Sequence, residues 1–453
     1  MHVYIEIEIV KRELSGKLLV ALELIGKGHT VILADRETIN KIGKDSKTPK
    51  GVLFLKDINS QKNRINDYKK FIQNGFKLVS QDEEIGCFAD KNFKKYYEWR
   101  FRGNKSFKFF EKYFCWGSFD HNYLINKISK HKIIKTGSPR IDIAIETKPN
   151  KRNRDVLFCL NHNLFWKRDF VERSIIDIEG LNNIKTKKKI DNLYLNESKD
   201  LLLFSYLIKL LHALSQIKDI KVKIRPHPTH DLEKLTYYFK SIKFLKKFKI
   251  VSKEDLIDDI SKSNFIIQTG CTSSIEGTLN QKKVIFFNPK DKFLHNYKDN
   301  TFISKIGFNI SSIEKLIKFI NSKQQNENYV KKKIKKDMIK IKERVLIDQC
   351  SFKRISKEIH KIKIAEKNNI NFNKFNNGVS EKIIKNLKLF IKSKIKQRIG
   401  YSKKLNIFET KFPPFEKKLI IYKLNNLKKK FNLNIKFKLD KVNDRFLILK
   451  KDK

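Results

Sequence analysis

The chain alternates strand-like and helix-like segments, pauses, and then repeats the alternation, and this pattern limits the folds open to it. In the first 150 residues, runs of β-branched residues at 2–9 and 29–33 flank a segment, 13–25, with apolar residues at helical spacing. The rhythm restarts after the polar segment 148–154. Strand–helix–strand alternation predicts a parallel sheet covered by helices on both faces. We therefore predict an α/β protein with two consecutive Rossmann-like domains that face a cleft.

Three regions follow from the positions of these segments. Residues 1–150 are predicted to form an N-terminal Rossmann-like domain on the acceptor side, and residues 151–330 a C-terminal Rossmann-like nucleotide-binding domain. Residues 331–453, where strand signals fade, are predicted to form a basic, mainly helical extension. The remaining strands are predicted at 52–55, 77–80, 132–136, 155–160, 220–224, 249–251, 264–268 and 284–287, with helices at 201–217, 256–261 and 271–279.

The charge of the chain is one-sided, because 100 Lys and Arg stand against 49 Asp and Glu, a formal net charge of +51. Residues 351–453 alone carry 30 Lys and Arg against 8 Asp and Glu, with apolar residues interleaved as in a basic amphipathic helix. This pattern indicates contact with an anionic membrane surface. The Lys, Asn and Ile bias of an AT-rich genome is an alternative explanation. Nucleic-acid binding is not expected, since no nucleic-acid-binding signature accompanies the charge.

The cysteines and apolar runs predict a location in the cytoplasm. Five cysteines are scattered without a CxxC pair, so neither a disulfide framework nor a zinc site is expected. Charged residues interrupt the apolar start of the chain, which argues against a signal peptide. No run of about 18 uncharged apolar residues predicts a transmembrane helix. We expect a cytoplasmic protein that is peripheral at the inner face of the cell membrane.

An acidic cluster follows the strand predicted at 77–80. Asp82, Glu83 and Glu84 are adjacent in the chain. Crowded carboxylates repel one another, and this raises a pKa toward the range of a general base. We predict that Glu83 or Glu84 removes the proton of an acceptor hydroxyl. A solvated acidic turn that caps the next helix is the alternative.

A stiff histidine turn follows the strand predicted at 220–224. Its sequence is Arg225-Pro226-His227-Pro228. Two prolines fix the backbone and orient the imidazole at little cost in entropy. His227 is predicted to contact a phosphate or to donate a proton to a leaving phosphate oxygen, and Arg225 to add a bidentate phosphate contact.

A turn rich in hydroxyl groups, residues 269–277, joins a predicted buried strand to a helix. Thr272, Ser273 and Ser274 stand at the start of that helix, where free N–H groups favour an anion. We predict phosphate binding there, and hydrogen bonds from ribose hydroxyls to Glu276. Plain capping of the helix is the alternative.

A Gly-Ser-Pro turn within residues 136–142 ends the first predicted domain. Ser138 and Arg140 are candidate substrate contacts, with a structural interdomain turn as the alternative. Weaker candidates follow the first strand, and one histidine follows a strand of the second domain. These weaker candidates are Lys11, Arg12, Glu13, Lys17 and His162.

The motifs together resemble those of bacterial surface carbohydrate biosynthesis proteins over about residues 1–290. The shared pieces, in order, are the opening KREL, then DEEIG, GSPRID, RPHP and GCTSSIEG. The set is also similar to that of bacterial polysialyltransferases and Kdo transferases, which are GT-B enzymes that use CMP-activated acidic sugars. CDP-glycerol polymerases share this fold, with similar His and Ser/Thr positions.

The resemblance implies specific roles for the matching residues. It implies that Glu83 or Glu84 acts as the general base. His227 and Pro228 would bind the nucleotide and assist the departure of its phosphate, and Ser273 and Ser274 would bind that phosphate. This chain departs from the pattern at Ile85, which stands between the carboxylates and the glycine. Either carboxylate therefore remains a candidate base.

These observations predict a metal-independent glycosyltransferase of GT-B type in bacterial surface polysaccharide biosynthesis. Its substrates are predicted to be a nucleotide-sugar donor, CMP-type favoured, and a lipid-linked or glycan acceptor. No cofactor and no metal are expected, since no Asp-x-Asp motif stands at a convincing strand end. The alternatives are a nucleotide-sugar epimerase of the same double-Rossmann shape, a CDP-glycerol-type glycerophosphotransferase, and a non-catalytic polysaccharide assembly protein.

Overall fold

The computed structural model describes residues 1–84, 93–149, 155–160, 187–228, 230–252, 254–294, 301–322, 327–364 and 412–452. The described residues divide into two compact units. The first comprises those within Met1–Thr147, Ile339–Glu381 and Phe412–Lys453, and the second those within Lys148–Met338. The units divide between Thr147 and Lys148 and again between Met338 and Ile339, and the domain boundaries predicted near residues 150 and 330 stay predictions.

The first unit contains a mixed sheet with helices around it. Its strands are β1 (His2–Ile7), β2 (Thr30–Asp35), β3 (Gly51–Leu55), β4 (Lys77–Ser80), β5 (Phe110–Cys115), β6 (Ile133–Lys135), β13 (Phe437–Asn443) and β14 (Phe446–Lys451). Its helices are α1 (Val10–Gly26), α2 (Arg36–Lys44), α3 (Lys62–Gln73), α4 (Phe93–Phe101), α5 (Ser118–Ile125), α6 (Pro139–Glu146), α13 (Ser351–His360) and α14 (Lys417–Lys430), with 3-10 turns at Phe107–Phe109 and Lys130–Lys132.

The strand order of this sheet is β13-β14-β2-β1-β3-β4-β5-β6. Strands β1 to β6 run parallel to one another. Ile5 of β1 stands in register with Leu33 of β2 and Phe54 of β3. The direction of strand progression reverses between β1 and β3. In open α/β sheets, ligands bind beyond the carboxyl ends of the strands at such a switch point.

The C-terminal region contains two strands, β13 and β14, in addition to its helices, and the sequence analysis did not predict these strands. Its described residues include β14, which pairs antiparallel with β2, so that Phe446 lies opposite Ala34 and Leu449 opposite Val31. The apolar run 446–449 is buried in this position. Helices α13 and α14 both pack on α1. Burial of an apolar strand and two helix faces makes this region part of the first unit.

The outer face of α14 remains exposed and basic. Leu419 is 40% exposed and Tyr422 is 64% exposed, and Lys418 and Lys429 are exposed on the same helix. Within the described ranges, no helix is long and apolar enough to cross a membrane.

A contact between the buried His29 and the exposed His360 joins the end of α13 to the start of β2. Nε2 of His29 lies 2.8 Å from Nδ1 of His360. Burial lowers the pKa of His29 from 6.5 to about 4. Because the folded state favours the neutral imidazole, the stabilisation is full above about pH 6.5 and is lost as the pH falls toward about 4.

We expect protonation of His29 to lower the free energy of unfolding by about 2 kcal/mol as the pH falls from about 6.5 to about 4. Urea denaturation at a series of pH values measures it. The variant His29→Gln is expected to show a shallower pH dependence than the wild type, and His131→Gln, at an exposed position, the same dependence as the wild type. Equal slopes for all three proteins would contradict the assignment.

The second unit contains a sheet of parallel strands. Its strands are β7 (Val156–Cys159), β8 (Val222–Arg225), β9 (Lys249–Ile250), β10 (Phe265–Gln268), β11 (Lys283–Phe287) and β12 (Phe308–Ile310). Its helices are α7 (Lys187–Ser215), α8 (Leu232–Ser241), α9 (Leu256–Ser261), α10 (Ser273–Leu279), α11 (Ile313–Asn321) and α12 (Glu327–Lys342), with 3-10 turns at Leu245–Lys247 and Phe302–Lys305. The unit boundary falls inside α12.

The strand order of the second sheet is β12-β11-β10-β7-β8-β9. Numbered within this unit, the order is 3-2-1-4-5-6, that of dinucleotide-binding Rossmann sheets. Its switch point lies between β7 and β10. Leu207, Leu210, Leu211 and Leu214 of α7 are buried in the core that covers the sheet. The prediction of an α/β protein with parallel sheets is therefore confirmed.

Candidate functional site

Charged residues stand at the carboxyl end of each of the first four strands of the first unit. Glu8 follows β1, Arg36 follows β2, Lys56 follows β3 and Asp82 lies just beyond β4. Because parallel strands end at one edge of the sheet, these side chains form a continuous cluster there. The sequence analysis identified the group after β4 and, as weaker candidates, residues after β1. The charged residue that follows each apolar strand was the available signal for the others.

Lys56 and Arg36 hold the centre of this cluster beside the switch point. The Lys56 ammonium contacts the Glu8 carboxylate and lies 3.7 Å from Oε1 of Glu13. Arg36 contacts the carboxylate of Glu6, a buried residue of β1. Burial alone would raise the pKa of Glu13, but Lys56 and Arg12 outweigh it and lower that pKa. Buried ion pairs contribute little net stability, so their concentration here marks a candidate functional site.

Asp82 has a structural role in the acidic cluster. Its carboxylate accepts hydrogen bonds from Arg100, with Nε to Oδ2 at 2.7 Å and Nη2 to Oδ1 at 3.2 Å. Its carbonyl accepts one from the Trp116 indole at 2.7 Å. Asp82 has no exposed surface, and burial raises its pKa. The last two residues of the motif DEEIG, Ile85 and Gly86, lie outside the described ranges.

Glu83 forms a closed ion pair. Its Oε1 lies 3.1 Å from Nζ of Lys17, which itself lies 3.9 Å from the centre of the Phe54 ring. The Glu83 carbonyl accepts a hydrogen bond of 3.4 Å from Nη1 of Arg140. Glu83, Lys17 and Arg140 are all buried. The structure therefore brings three predicted site residues together, but away from solvent.

Glu84 is the more accessible of the two predicted base candidates, with 25% of its side chain exposed. Its carboxylate contacts Arg12 and lies 3.5 Å from Nη1 of Arg100. Burial alone would raise its pKa, but Arg12, Arg100 and Lys56 outweigh burial and hold the pKa at about 2. Glu84 is thus ionised at neutral pH and strongly paired. Lys11 is half-buried on the first turn of α1.

The Gly-Ser-Pro turn anchors α13. Asp142 accepts hydrogen bonds from the Ser351 hydroxyl at 2.8 Å and the Phe352 N–H at 3.2 Å, and Arg354 donates one of 2.7 Å to the Thr136 carbonyl. Gly137 has φ of 84°, and an added Cβ would lie 2.2 Å from the Ser351 Oγ. These contacts explain the turn as a structural element within the first unit, not as an interdomain turn.

The turn leaves its two candidate substrate contacts buried. Ser138 has no exposed surface and Arg140 is 7% exposed, so neither reaches solvent appreciably in this structure.

In the second unit, Arg225 at the end of β8 is held by its own neighbours. Its Nη1 donates to Oδ2 of Asp259 at 2.5 Å and to the carbonyl of Glu254 at 2.8 Å. Burial raises the pKa of Asp259, although Arg225 opposes this. Arg225 therefore forms an internal pair at the start of the loop that follows β8, and its bidentate phosphate contact stays a prediction.

His227 occupies a fixed and accessible loop after β8. Its N–H donates to Nδ1 of His230 at 3.2 Å, and the His230 N–H donates to the His227 carbonyl at 2.9 Å. Pro226 and His230 are buried, whereas His227 and Pro228 are half-buried. The loop thus presents the His227 ring at the carboxyl edge of the sheet. Thr229 lies outside the described ranges.

The turn after β10 is shaped by Gln268, which the sequence analysis missed. Its Oε1 accepts hydrogen bonds from the N–H groups of Gly270 and Cys271, the latter at 2.7 Å. These two N–H groups of the turn therefore already have an acceptor. The polar residue at the end of an otherwise apolar buried strand was the signal for this role. Gly270 adopts φ of 106°, which favours glycine.

The hydroxyl groups of this turn differ in accessibility. Ser273 and Ser274 have no exposed surface and Glu276 is 6% exposed. Thr272 is half-buried and stands at the start of α10 without a side-chain cap bond. Of these four predicted binding residues, Thr272 is the one positioned to meet a ligand in this structure.

Cys159 ends β7, the strand that lies between β8 and β10 in the sheet. Burial raises the pKa of its thiol. The structure therefore brings the histidine loop and the hydroxyl turn to the same edge, beside the β7–β10 switch point. His162, a weaker candidate, falls outside the part of the chain that the structure describes.

A groove of about 650 Å³ lies at the opposite edge of this sheet, near the amino ends of β8 and β9. None of the predicted site residues lines it. Among the described residues, no group of three or more His, Cys, Asp or Glu side chains is placed to hold a metal ion.

Comparison with known proteins gives likenesses in structure only. No family model matches the chain, and no curated protein matches it. The UDP-GlcNAc 2-epimerase of Methanocaldococcus jannaschii, solved with UDP-GlcNAc and UDP, is similar with a TM-score of 0.45 and 12% identity, over 80% of this chain and 99% of that one. The wall teichoic acid polymerase TagF is similar with a TM-score of 0.39 and 11% identity, over 80% of this chain and 88% of that one. TarM is similar with a TM-score of 0.33 and 10% identity; the match covers 69% of this chain and 55% of TarM, about half its length.

Proposed function

We propose that this protein is a GT-B-type glycosyltransferase of bacterial surface polysaccharide biosynthesis. It would transfer a sugar from a nucleotide-linked donor, with a CMP-type donor favoured, to a lipid-linked or glycan acceptor. The observation that carries the proposal is that the His227 loop and the Thr272 turn follow β8 and β10, the two neighbours of β7, at the carboxyl edge of a sheet with Rossmann strand order. Nucleotides bind at that position in such sheets.

The second unit would receive the charge of the departing nucleotide. As the acceptor oxygen bonds to the anomeric carbon, the bond from that carbon to the donor phosphate oxygen breaks. The oxygen gains negative charge, which a hydrogen bond or proton from His227 stabilises. Thr272 would add a hydroxyl contact. Arg225 and Gln268 would act as positioning residues, because their bonds hold the two loops in place.

The first unit would supply the base. The acceptor hydroxyl must lose its proton as the new bond forms, and the two adjacent glutamates are the candidates. Glu84 is favoured over Glu83 because more of its side chain is exposed. Chemistry of this kind needs no metal ion where protein donors neutralise the leaving phosphate.

Contact with an anionic membrane surface is part of the proposal. The exposed face of α14 combines Lys418 and Lys429 with Leu419 and Tyr422. Lysines beside exposed apolar side chains favour the interface of an acidic membrane, where a lipid-linked acceptor would be found.

An epimerase acting on a nucleotide sugar is the second candidate. It is favoured by one observation: both predicted base carboxylates are held in ion pairs, Glu83 by Lys17 and Glu84 by Arg12. NMR of a nucleotide sugar incubated with the protein, without acceptor, separates the two functions. Conversion of the sugar under these conditions supports the epimerase.

A thermal-shift screen with CMP, CDP, UDP and GDP tests the proposal. We expect CMP or CDP to raise the melting temperature, because a ligand at about 100 times its Kd stabilises the folded state by about 2.7 kcal/mol. A shift with UDP alone would support nucleotide binding but indicate a UDP-type donor instead of a CMP-type donor. Absence of a shift with all four nucleotides would contradict the proposal.

A further inference from the structure

Two arginines of the first unit converge on a single carboxylate. Arg12 projects from the first turn of α1 and Arg100 from the end of α4, and both contact Glu84. The exposed fractions of the three side chains are 15%, 16% and 25%, respectively. The two arginines are therefore mostly buried, and the Glu84 side chain between them is the most exposed of the three.

Each arginine is also held by a second carboxylate. Oε1 of Glu13 lies 3.1 Å from Nη2 of Arg12, and Asp82 forms two hydrogen bonds with Arg100. Removal of the Glu84 side chain from this place would leave both guanidinium groups oriented. It would also leave room for one incoming negative charge, because Glu84 brings one such charge to the cluster.

Guanidinium groups recognise phosphates and carboxylates alike through paired N–H donors. We propose that Arg12 and Arg100 form an oxyanion subsite for the acceptor, which Glu84 occupies in this structure and leaves when an acidic group of the acceptor binds. This inference rests on the proposed transferase function, because it assigns the acceptor side of the reaction to the first unit.

The exchange would prepare Glu84 for proton transfer. Arg12 and Arg100 are the two strongest influences that hold its pKa at about 2 against the effect of burial. An acceptor anion that neutralises these arginines would let the pKa of Glu84 rise toward the range of a general base. Glu84 would then take the proton of the acceptor hydroxyl only when the acceptor is bound.

Glu83 does not offer the same exchange. Its side chain is 5% exposed, and its partner Lys17 is 3% exposed and packs against Phe54. An incoming anion would have to enter a buried and filled space. The structure thus distinguishes two adjacent glutamates that the sequence leaves equivalent.

The variant Glu84→Gln tests the subsite, with inorganic phosphate as the probe in titration calorimetry at low ionic strength. Glutamine keeps the size of the side chain and removes the competing charge. We expect phosphate to bind about tenfold more tightly to E84Q than to the wild type, a typical size for a coupling of this kind. The control Glu254→Gln removes the same charge from an exposed ion pair with Lys262 and should bind phosphate as the wild type does.

Two further measurements keep the test decisive. Adding Arg12→Gln or Arg100→Gln to E84Q should abolish the gain in phosphate affinity. Should E84Q fail to fold, the single variants R12Q and R100Q replace it, with weaker phosphate binding than the wild type expected. Equal phosphate affinity of E84Q and E254Q, or of R12Q, R100Q and the wild type, would overturn the proposal.

The source of the anion is identified by two more probes on E84Q. Pyrophosphate represents a lipid-linked diphosphate, and glucuronate represents an acidic glycan. The probe with the larger gain in affinity over E254Q identifies the acceptor class, and no gain with either overturns the subsite. Because the nucleotide screen probes the second unit, a nucleotide shift without an E84Q effect would refute the subsite alone. An E84Q effect without nucleotide binding would refute the transferase alone.

Discussion

Replacing His227 by alanine should lower the turnover of sugar transfer by about 10²–10³-fold while the protein stays folded. This is the usual loss when a proton donor or a hydrogen bond to a leaving oxyanion is removed. The backbone N–H and carbonyl of residue 227 form two loop bonds with His230, and the centres of the two imidazole rings lie 5.7 Å apart. The truncation therefore removes the ring without removing the bonds that shape the loop.

Initial rates at saturating donor, together with the melting temperature, check this result. We expect kcat to fall more than donor affinity, because the charge on the leaving phosphate develops in the transition state. His227→Gln, which keeps an N–H donor, should recover part of the rate. The control His212→Ala, at an exposed position of α7, should behave as the wild type. Normal turnover in His227→Ala would remove His227 from the mechanism.

Replacing Asp142 by alanine should lower the free energy of unfolding by about 2–4 kcal/mol. The Ser351 hydroxyl and the Phe352 N–H would lose their buried acceptor, and unsatisfied buried donors are costly. Asp142→Asn should cost much less, since its amide oxygen can accept the same bonds. Urea denaturation measures both values.

The pH dependence gives an independent check on Asp142. Burial raises its pKa from 3.8 to about 6. The folded state therefore binds this proton more tightly than the unfolded state does, and the stabilisation present below about pH 4 is lost as the pH rises through 6. This contribution should vanish in Asp142→Asn.

The control variant Asp348→Ala, at a position 51% exposed beside Arg354, should cost about 1 kcal/mol or less. Equal stability of Asp142→Ala and the wild type would contradict the anchoring role.

Local patterns were sufficient for most of the parallel strands. Apolar β-branched runs predicted β1 to β4, β6 and the strands β7 to β11 close to their observed ends. They did not predict β5, whose sequence FEKYFC mixes charged and aromatic residues. They also missed β14, because its place beside β2 depends on pairing between distant parts of the chain. Long-range pairing of this kind has no signature in a short window of sequence.

The candidate site shows the same limit. Parallel strands end at one edge, so Glu84, His227 and Thr272 could be located from strand positions alone. The partners of these loops could not, because Arg225 meets Asp259 and Asp142 meets Ser351 only after folding. The sequence therefore predicted where the functional groups lie better than which of them are already engaged.

The affinity of the protein for CMP, the nucleotide that a CMP-type donor releases, tests the central claim most directly, namely that the His227 loop and the Thr272 turn bind the nucleotide phosphate. Titration calorimetry of the wild type, His227→Ala, Thr272→Val and the control His212→Ala provides the measurement. We predict about tenfold weaker binding in each of the first two variants and unchanged binding in the control. Equal affinity in all four proteins, or no CMP binding to the wild type, would contradict the account.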